Sequence, residues 1–341
     1  MRKNSRNIEL LKKILLEYRG SFAGLLVHRN ADPDALASAI TLSRFLDDLK
    51  IENYLFLPEG VNRVAKNMLD TLNINIDLYD MVMLKNMVDN IDFFIILDTS
   101  NPIQLGEAYR YIRGKPLILI DHHIPGSLVK KASVYYVEKL VSTSELVYIL
   151  LRDIWVFSQD LATLLLAGIL YDSKRFTYVD PVIFLIVHEL INVWKANYLL
   201  AISSLKKTLE IPERIARLKA SKRMTIFRTD DLLIVFTRVG SYESNVANAI
   251  LELGAHAVFV ASEKRKGKVR ITGRATQEFI NRTSLSLGGI ILRELAKKLN
   301  GEGGGHDTAG VVEYSGDVEK GYHMLIELLK EKLGPITILR P

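Results

Sequence analysis

The sequence predicts an α/β protein: an N-terminal doubly wound parallel sheet, then a smaller C-terminal α+β domain with a mixed sheet. Three observations predict it. The first half holds short continuous apolar runs, "FAGLLVH", "NYLFLP", "DFFIILD" and "PLILID", of the kind found in strands buried on both faces. Helix-period segments alternate with these runs, and that alternation pairs strands in parallel through βαβ crossovers. After residue 219 the strands come as hairpins instead. A chain of 341 residues suits two domains, at roughly 100–200 residues each.

Taken in order, the opening segment is basic and then amphipathic, with apolar Ile8, Leu11 and Leu15. It lacks the unbroken apolar stretch and cleavage site of a signal peptide. "FAGLLVH" is the first strand, and "PDALASAITLSRFLDDL" is a helix whose Pro33 suits its first turn. "NYLFLP" is a strand, "VNRVAKNMLDTL" a helix, and "DFFIILD" and "PLILID" two further strands. "STSELVYILLRDIW" is a helix with Ser142, Thr143 and Ser144 as candidate N-caps. "DLATLLLAGILYD" is apolar all round, which predicts a buried helix. The domains expected are residues 1–177, a helical connector over 178–219, and residues 220–341. In the last of these, "MTIFRT" and "DLLIVFTRV" form a hairpin, "SNVANAILEL" a helix, and "HAVFVASEKRKGKVRITGR" a hairpin turning at Gly267. "GGIILRELAKKL" is a helix, "GEGGGHDTAG" a loop, "AGVVEY" a strand and "DVEKGYHMLIELLKEKL" the closing helix.

Composition narrows the chemistry. Apolar residues make up 48% and charged residues 25%, an ordinary globular balance. The net charge of +6 and pI of about 9.2 lean toward anionic partners. With no cysteine, disulfides, zinc–thiolate sites and thiol nucleophiles are excluded. Any metal must be held by His, Asp and Glu, which suits manganese, magnesium or zinc. The apolar stretch "LATLLLAGILY" is too short to span a bilayer, and "VIFLIVHELINVW" carries His188 and Glu189 at its centre. A cytoplasmic protein without membrane association is the expectation.

The strand patterns lead into acids. His28 ends the first, with Asp32 and Asp34 just beyond; Asp98 ends the third; Asp121 ends the fourth, followed by His122 and His123; Asp172 closes a helix. Parallel sheets bind ligands beyond the carboxyl ends of their strands, so the fold gathers these groups at one rim. Each acid alone could cap a helix, and Asp32 is placed to cap the helix at Pro33. Capping does not call for several acids and three histidines on one edge, where like charges repel unless a cation is present. A pair of divalent ions resolves that repulsion and can clamp the oxygens of a phosphoryl displacement. Three adjacent glycines, Gly303, Gly304 and Gly305, let a backbone approach an anion, and Arg274 has the planar fork that suits phosphate. His188, His256 and His323 fall in helical or strand patterns and read as structural.

"HRNADPDALAS", "ILDTS", "DHH" and "LLAGILYDS" resemble, in order and spacing, the four motifs of the DHH phosphoesterase family, and "GGGHDTAG" resembles the signature of the DHH-associated domain. The likeness spans nearly the whole chain. It places the protein beside RecJ-like exonucleases and, closer in layout, the small oligoribonucleases that also remove the 3′-phosphate of 3′-phosphoadenosine 5′-phosphate (pAp). The glycine often found between the two aspartates, and the one before the serine, are missing here. The resemblance implies a catalytic domain over residues 1–177 and a substrate-binding domain over 220–341, with the active site in the cleft between them. It implies two divalent metal ions, Mn²⁺ by family habit: one on His28, Asp32 and Asp98, the other on Asp34, Asp98, His122 and Asp172, with Asp98 as the bridge. His123 would face the phosphate, and Asp121 would orient His122 or the loop. Arg274, Gly303, Gly304, Gly305 and His306 would bind substrate. Ser142 and Thr143 would lie near the site. A homodimer is a common family assembly.

The expected activity is hydrolysis of short RNA or DNA oligonucleotides by a two-metal-activated water. The rival activities are pAp phosphatase and cyclic-dinucleotide phosphodiesterase, with family II pyrophosphatase behind them. The rival outside enzymology is a nucleic-acid-binding scaffold, against which the full ligand set argues.

Overall fold

The structure, a computed structural model, describes residues 2–18, 20–206 and 209–339. The chain divides into two compact units at residues 208 and 209.

The first unit runs α1 (Arg2–Glu17), β1 (Phe22–Leu26), α2 (Pro33–Asp48), β2 (Glu52–Phe56), α3 (Arg63–Thr71), β3 (Leu78–Tyr79), α4 (Met81–Met87), β4 (Phe93–Leu97), α5 (Ala108–Ile112), β5 (Leu117–Asp121), β6 (Val134–Val137), α6 (Thr143–Leu151), α7 (Gln159–Asp172), α8 (Pro181–Asn192) and α9 (Tyr198–Ser204). Its six strands are parallel in the order β3-β2-β1-β4-β5-β6. The order reverses between β1 and β4, the place where such sheets open a crevice. Every residue of β4 is buried, and alternate side chains serve opposite faces. Phe93, Ile95 and Leu97 join the core beneath α2, α6 and α7, while Phe94 and Ile96 join the core on the other side. This two-faced burial is why the strands read as unbroken apolar runs. α7 is buried from Ala162 to Leu170, as its all-round apolarity predicts.

The helical stretch between the predicted domains divides between the units. Ile183, Ile186 and Leu190 of α8 and Ala201 of α9 pack into the first core. Ala220 of α10 (Ile211–Arg223) packs with Val235 and Val246 in the second unit.

The second unit continues with β7 (Thr225–Thr229), β8 (Leu232–Arg238), α11 (Glu243–Glu252), β9 (Ala257–Lys264), β10 (Lys268–Ala275), α12 (Gln277–Thr283), a π-helical turn (Leu287–Leu292), α13 (Arg293–Lys298), β11 (Glu302–His306), β12 (Ala309–Ser315), α14 (Val318–Leu333) and β13 (Thr337–Leu339). Its seven-stranded sheet has the order β11-β12-β10-β9-β8-β7-β13. It is mixed, because β8 and β9 pair in parallel across α11 while the other neighbours are antiparallel.

The "GEGGGHDTAG" segment is not a loop. Residues Glu302–His306 form edge strand β11, paired to β12 through a turn at Asp307 and Thr308. Glycine permits this pairing because the π-helical turn lies against its backbone. A Cβ on Gly288 would stand 2.4 Å from the carbonyl carbon of Gly305. Sequence periodicity carries no strand signal where side chains are absent.

Candidate metal centre

Five strand and helix ends supply the site. β1 runs out into His28, after which Asp32 takes the N-cap of α2: its Oδ1 accepts the Ala35 N–H at 3.0 Å. The cap leaves Oδ2 facing His28 Nε2 at 3.8 Å. Asp32 is thus both a helix cap and a member of the cluster. Asp34, the second residue of α2, is fully buried. Asp98 directly follows β4, Asp121 ends β5, and Asp172 ends α7.

Asp98 stands at the centre. Its Oδ2 lies 3.4 Å from His28 Nε2, and its Oδ1 lies 3.3 Å from His122 Nε2. His122 Nε2 is in turn 3.2 Å from Asp172 Oδ2. Ligand atoms of His28, Asp32 and Asp98 all lie within 4.8 Å of one another, as do those of Asp34, Asp98, His122 and Asp172. Each carboxylate oxygen of Asp98 therefore faces a different histidine and a different cluster. Both rings are turned to offer Nε2 by a backbone carbonyl at Nδ1: Arg29 O at 2.8 Å for His28, and Leu140 O at 3.3 Å for His122. This is the tautomer control that metal-binding histidines receive. His122 Nε2 is buried and has no aligned hydrogen-bond partner. An acceptor nitrogen and acid oxygens converging at these distances fit a divalent cation with O and N ligands.

Asp98 adopts a left-handed backbone, φ 61°. For a non-glycine residue that costs about 1–2 kcal/mol. The Asp98 N–H still pairs with Ile120 O at 3.0 Å, and the strained turn aims the carboxylate between the two histidines.

The electrostatics tell the same story. Burial opposes charge on His28, but Asp32 and Asp98 outweigh it and raise its pKa to about 11. Burial likewise opposes charge on His122, and Asp172 with Asp98 raises it to about 11. Burial works against ionised Asp98 too, yet His122 and His28 hold it below the usual carboxylate range. Asp34 is pushed well above that range by burial and then by the charges of Asp172 and Asp98. Burial also raises Asp172, with Asp98 and Asp32 adding to it against His122. The acids collectively demand positive charge at their midst.

His123 also has a ligand atom within 4.8 Å of Asp98 and His122, but it is more exposed than the other two. Its Nδ1 is bound 2.8 Å from Asp121 Oδ1, which also accepts the His123 N–H at 3.1 Å. Asp121 itself is fully buried. So Asp121 orients His123 rather than His122, and its hydrogen bond raises the pKa of that exposed ring.

Sequence reasoning left three parts of the site unassigned or undervalued. Ser142 caps α6 as read, its Oγ accepting the Glu145 N–H. The next two amides go elsewhere: Thr143 N–H donates to Asp34 Oδ2 at 2.6 Å, and Ser144 N–H to Asp34 Oδ1 at 2.9 Å. The positive end of a helix from a distant part of the chain thus grips this fully buried acid. Thr143 Oγ1 donates to Asp98 Oδ1 at 2.8 Å. Gly168 of α7 is the third part. A Cβ there would stand 2.2 Å from Ser144 Oγ and 3.0 Å from Asp34 Oδ1, so glycine lets α2, α6 and α7 close around Asp34. Its only sequence signal is a glycine inside an apolar helical run.

In the second unit, Arg274 of β10 and His306 of β11 both stand opposite Ala309 of β12. They occupy one end of three adjacent strands. The Arg274 guanidinium reaches Ser244 Oγ at 3.4 Å and Gly273 O at 3.2 Å. Gly305 has no room for a Cβ, which would meet Ala309 O at 2.2 Å, whereas a Cβ on Gly304 would meet nothing within 4 Å. His256 accepts the Leu233 N–H at 3.0 Å, and His188 lies beside Asn192, so both stay outside the cluster.

Comparison with known proteins agrees with this geometry. Residues 24–169 match the family model described as "DHH family, N-terminal domain". An uncharacterized protein of Methanocaldococcus jannaschii is 29% identical over 321 residues, covering 92% of this chain and 93% of that protein. The Streptococcus mutans protein named "Probable bifunctional oligoribonuclease and PAP phosphatase NrnA" is 26% identical over 339 residues, covering 93% and 99%. The solved structure of an exopolyphosphatase-related protein from Bacteroides fragilis shares the fold, with TM-score 0.64, 18% identity and 96% coverage of both chains. With these motifs seated at the switch point of a parallel sheet, residues 24–169 of the chain carry the N-terminal domain of the DHH family.

Proposed function

We propose that this protein hydrolyses phosphodiester bonds of short oligonucleotides with the help of two divalent metal ions, manganese by preference. The observation that carries the reading is the division of the Asp98 carboxylate, one oxygen toward each histidine and each ligand cluster. His28, Asp32 and Asp98 hold one ion, and Asp34, Asp98, His122 and Asp172 hold the other, with Asp98 shared. When bound, the ions acidify a water and stabilise charge on the phosphoryl oxygens.

The chain's own groups do the rest. The carbonyls of Arg29 and Leu140 keep His28 and His122 in the tautomer that presents Nε2. The α6 amides fix Asp34, and the Thr143 hydroxyl fixes Asp98. With Nδ1 tied to Asp121, His123 lines the cavity and leaves Nε2 to meet a phosphoryl oxygen of the substrate. No side chain is required as nucleophile. Arg274 and His306 bind the nucleotide together with the open backbone at Gly303, Gly304 and Gly305. Such substrates place its action in the cytoplasm. Among the described residues, no helix is long and apolar enough to cross a membrane.

A second reading, removal of the 3′-phosphate of pAp, is favoured by the Streptococcus mutans relative, whose name joins both activities. The deciding experiment incubates the protein with end-labelled RNA and DNA from dinucleotides upward, with pAp and with cyclic di-AMP, in manganese. Fastest turnover of two- to five-residue RNA is expected. A strong preference for pAp or the cyclic dinucleotide would displace the first reading.

A further inference from the structure

The metal cluster opens into a cavity of about 670 Å³, within the range of small-molecule sites at ~300–1,000 Å³. Four aspartates line it, Asp32, Asp98, Asp121 and Asp172. Arg29 is the sole lysine or arginine among its lining residues. Its backbone is pinned on both sides: its N–H donates to Gln104 O at 2.8 Å, and its carbonyl accepts from His28 Nδ1 at 2.8 Å. The contact that orients a histidine of the cluster therefore also fixes the root of this side chain. The guanidinium has an acidic neighbour in Glu59 at 3.7 Å, with both side chains about half exposed, at 45% and 55%. Exposed pairs of that kind hold an arginine weakly. Ile124, 89% exposed, lines the same cavity and offers it an apolar surface.

The reacting phosphate belongs to the metal cluster, and Arg29, a permanent cation, cannot serve as a metal ligand there. A planar fork beside the reaction centre, without a strong partner, suits a second anion of phosphate geometry. We propose that Arg29 holds the phosphate neighbouring the scissile one, so that the site selects nucleotides carrying two phosphates close together, with Ile124 packing against the nucleoside. This rests on the phosphoesterase reading above.

The test measures kcat and KM in manganese for one dinucleotide in three forms, with a terminal phosphate at the 5′ end, at the 3′ end, or at neither. The unmodified protein, Arg29→Gln and Arg29→Lys are compared, each first checked for an unchanged melting temperature. A charge-assisted bidentate contact predicts that the unmodified protein favours a phosphorylated form by about 10–100-fold in kcat/KM. Arg29→Gln should remove that advantage, chiefly through KM, and Arg29→Lys should keep part of it. An advantage that survives Arg29→Gln, or no advantage in the unmodified protein, overturns the assignment of Arg29 while leaving the hydrolase reading intact. No turnover of any form by the unmodified protein overturns both.

Discussion

In the first unit the acids of the site stand where buried strands and helices begin or end, and two of them are gripped by α6, to which neither belongs. In the second unit Arg274 and His306 stand at one end of a sheet whose outermost strand is exposed and carries three glycines in a row. The first site is built from charge forced together under cover, and its neighbours are chosen to tolerate that charge. The second is built by leaving side chains out, so that the π-helical turn can pack against bare strand. Substitutions should fail differently in the two places: at the first through loss of metal and turnover, at the second through packing or KM.

The largest expected effect is at Asp98, where Asp98→Asn takes away the anion that serves both clusters. Hydrolysis should fall by about 10³-fold or more, and manganese should no longer raise the melting temperature. A variant that retains manganese-dependent turnover would break the shared-carboxylate picture. Next comes Gly168→Ala, which drives a methyl into Ser144 and Asp34. Isothermal titration should show manganese affinity reduced by about 10–100-fold, together with ~1–3 kcal/mol lost from overpacking. Its counterpart in the second unit is Gly305→Ala, where the methyl meets Ala309 O. Here a stability loss of ~1–3 kcal/mol is expected with manganese affinity unaltered. Equal metal loss in both glycine variants would erase the distinction between the two regions. Thr143→Val, which removes one hydrogen bond to Asp98 and leaves the α6 amides in place, should cost about 10-fold in kcat.

The smallest effect is one of pH. Burial, and then the charge of Asp180, lifts the Glu145 carboxyl to about 7. The folded state therefore holds this proton more tightly than the unfolded chain, whose value lies near 4.5. The resulting stability is fully present below that pH and is lost as pH rises through about 7. Glu145→Gln cannot ionise and should flatten this part of the profile. In a chelator, thermal melts should show the variant gaining on the parent from pH 4.5 to pH 8; parallel curves would contradict the burial argument.

Much of this was legible in the residues. Apolar runs ending in His28, Asp98 and Asp121 announced strands whose carboxyl ends share a rim, because burial on both faces leaves polar residues only where the sheet stops. The "GEGGGHDTAG" segment was misread as a loop because a strand's periodicity is written in side chains that three glycines do not have. Thr143 and Ser144 read as caps because capping is local, whereas their amides serve Asp34, over a hundred residues earlier in the chain.

The sequence by itself determined the class of the fold, the absence of thiol chemistry, and the set of acids and histidines that meet at the rim. Spacing and hydrophobic pattern act over a few residues, and those features need no more than that. Tertiary structure alone decided that Asp98 adopts a left-handed turn and splits its oxygens between two histidines. It also decided that Asp121 serves His123, and that Gly168 makes room for Asp34. Each of these depends on distances between atoms far apart in the chain, which packing sets and no local pattern encodes.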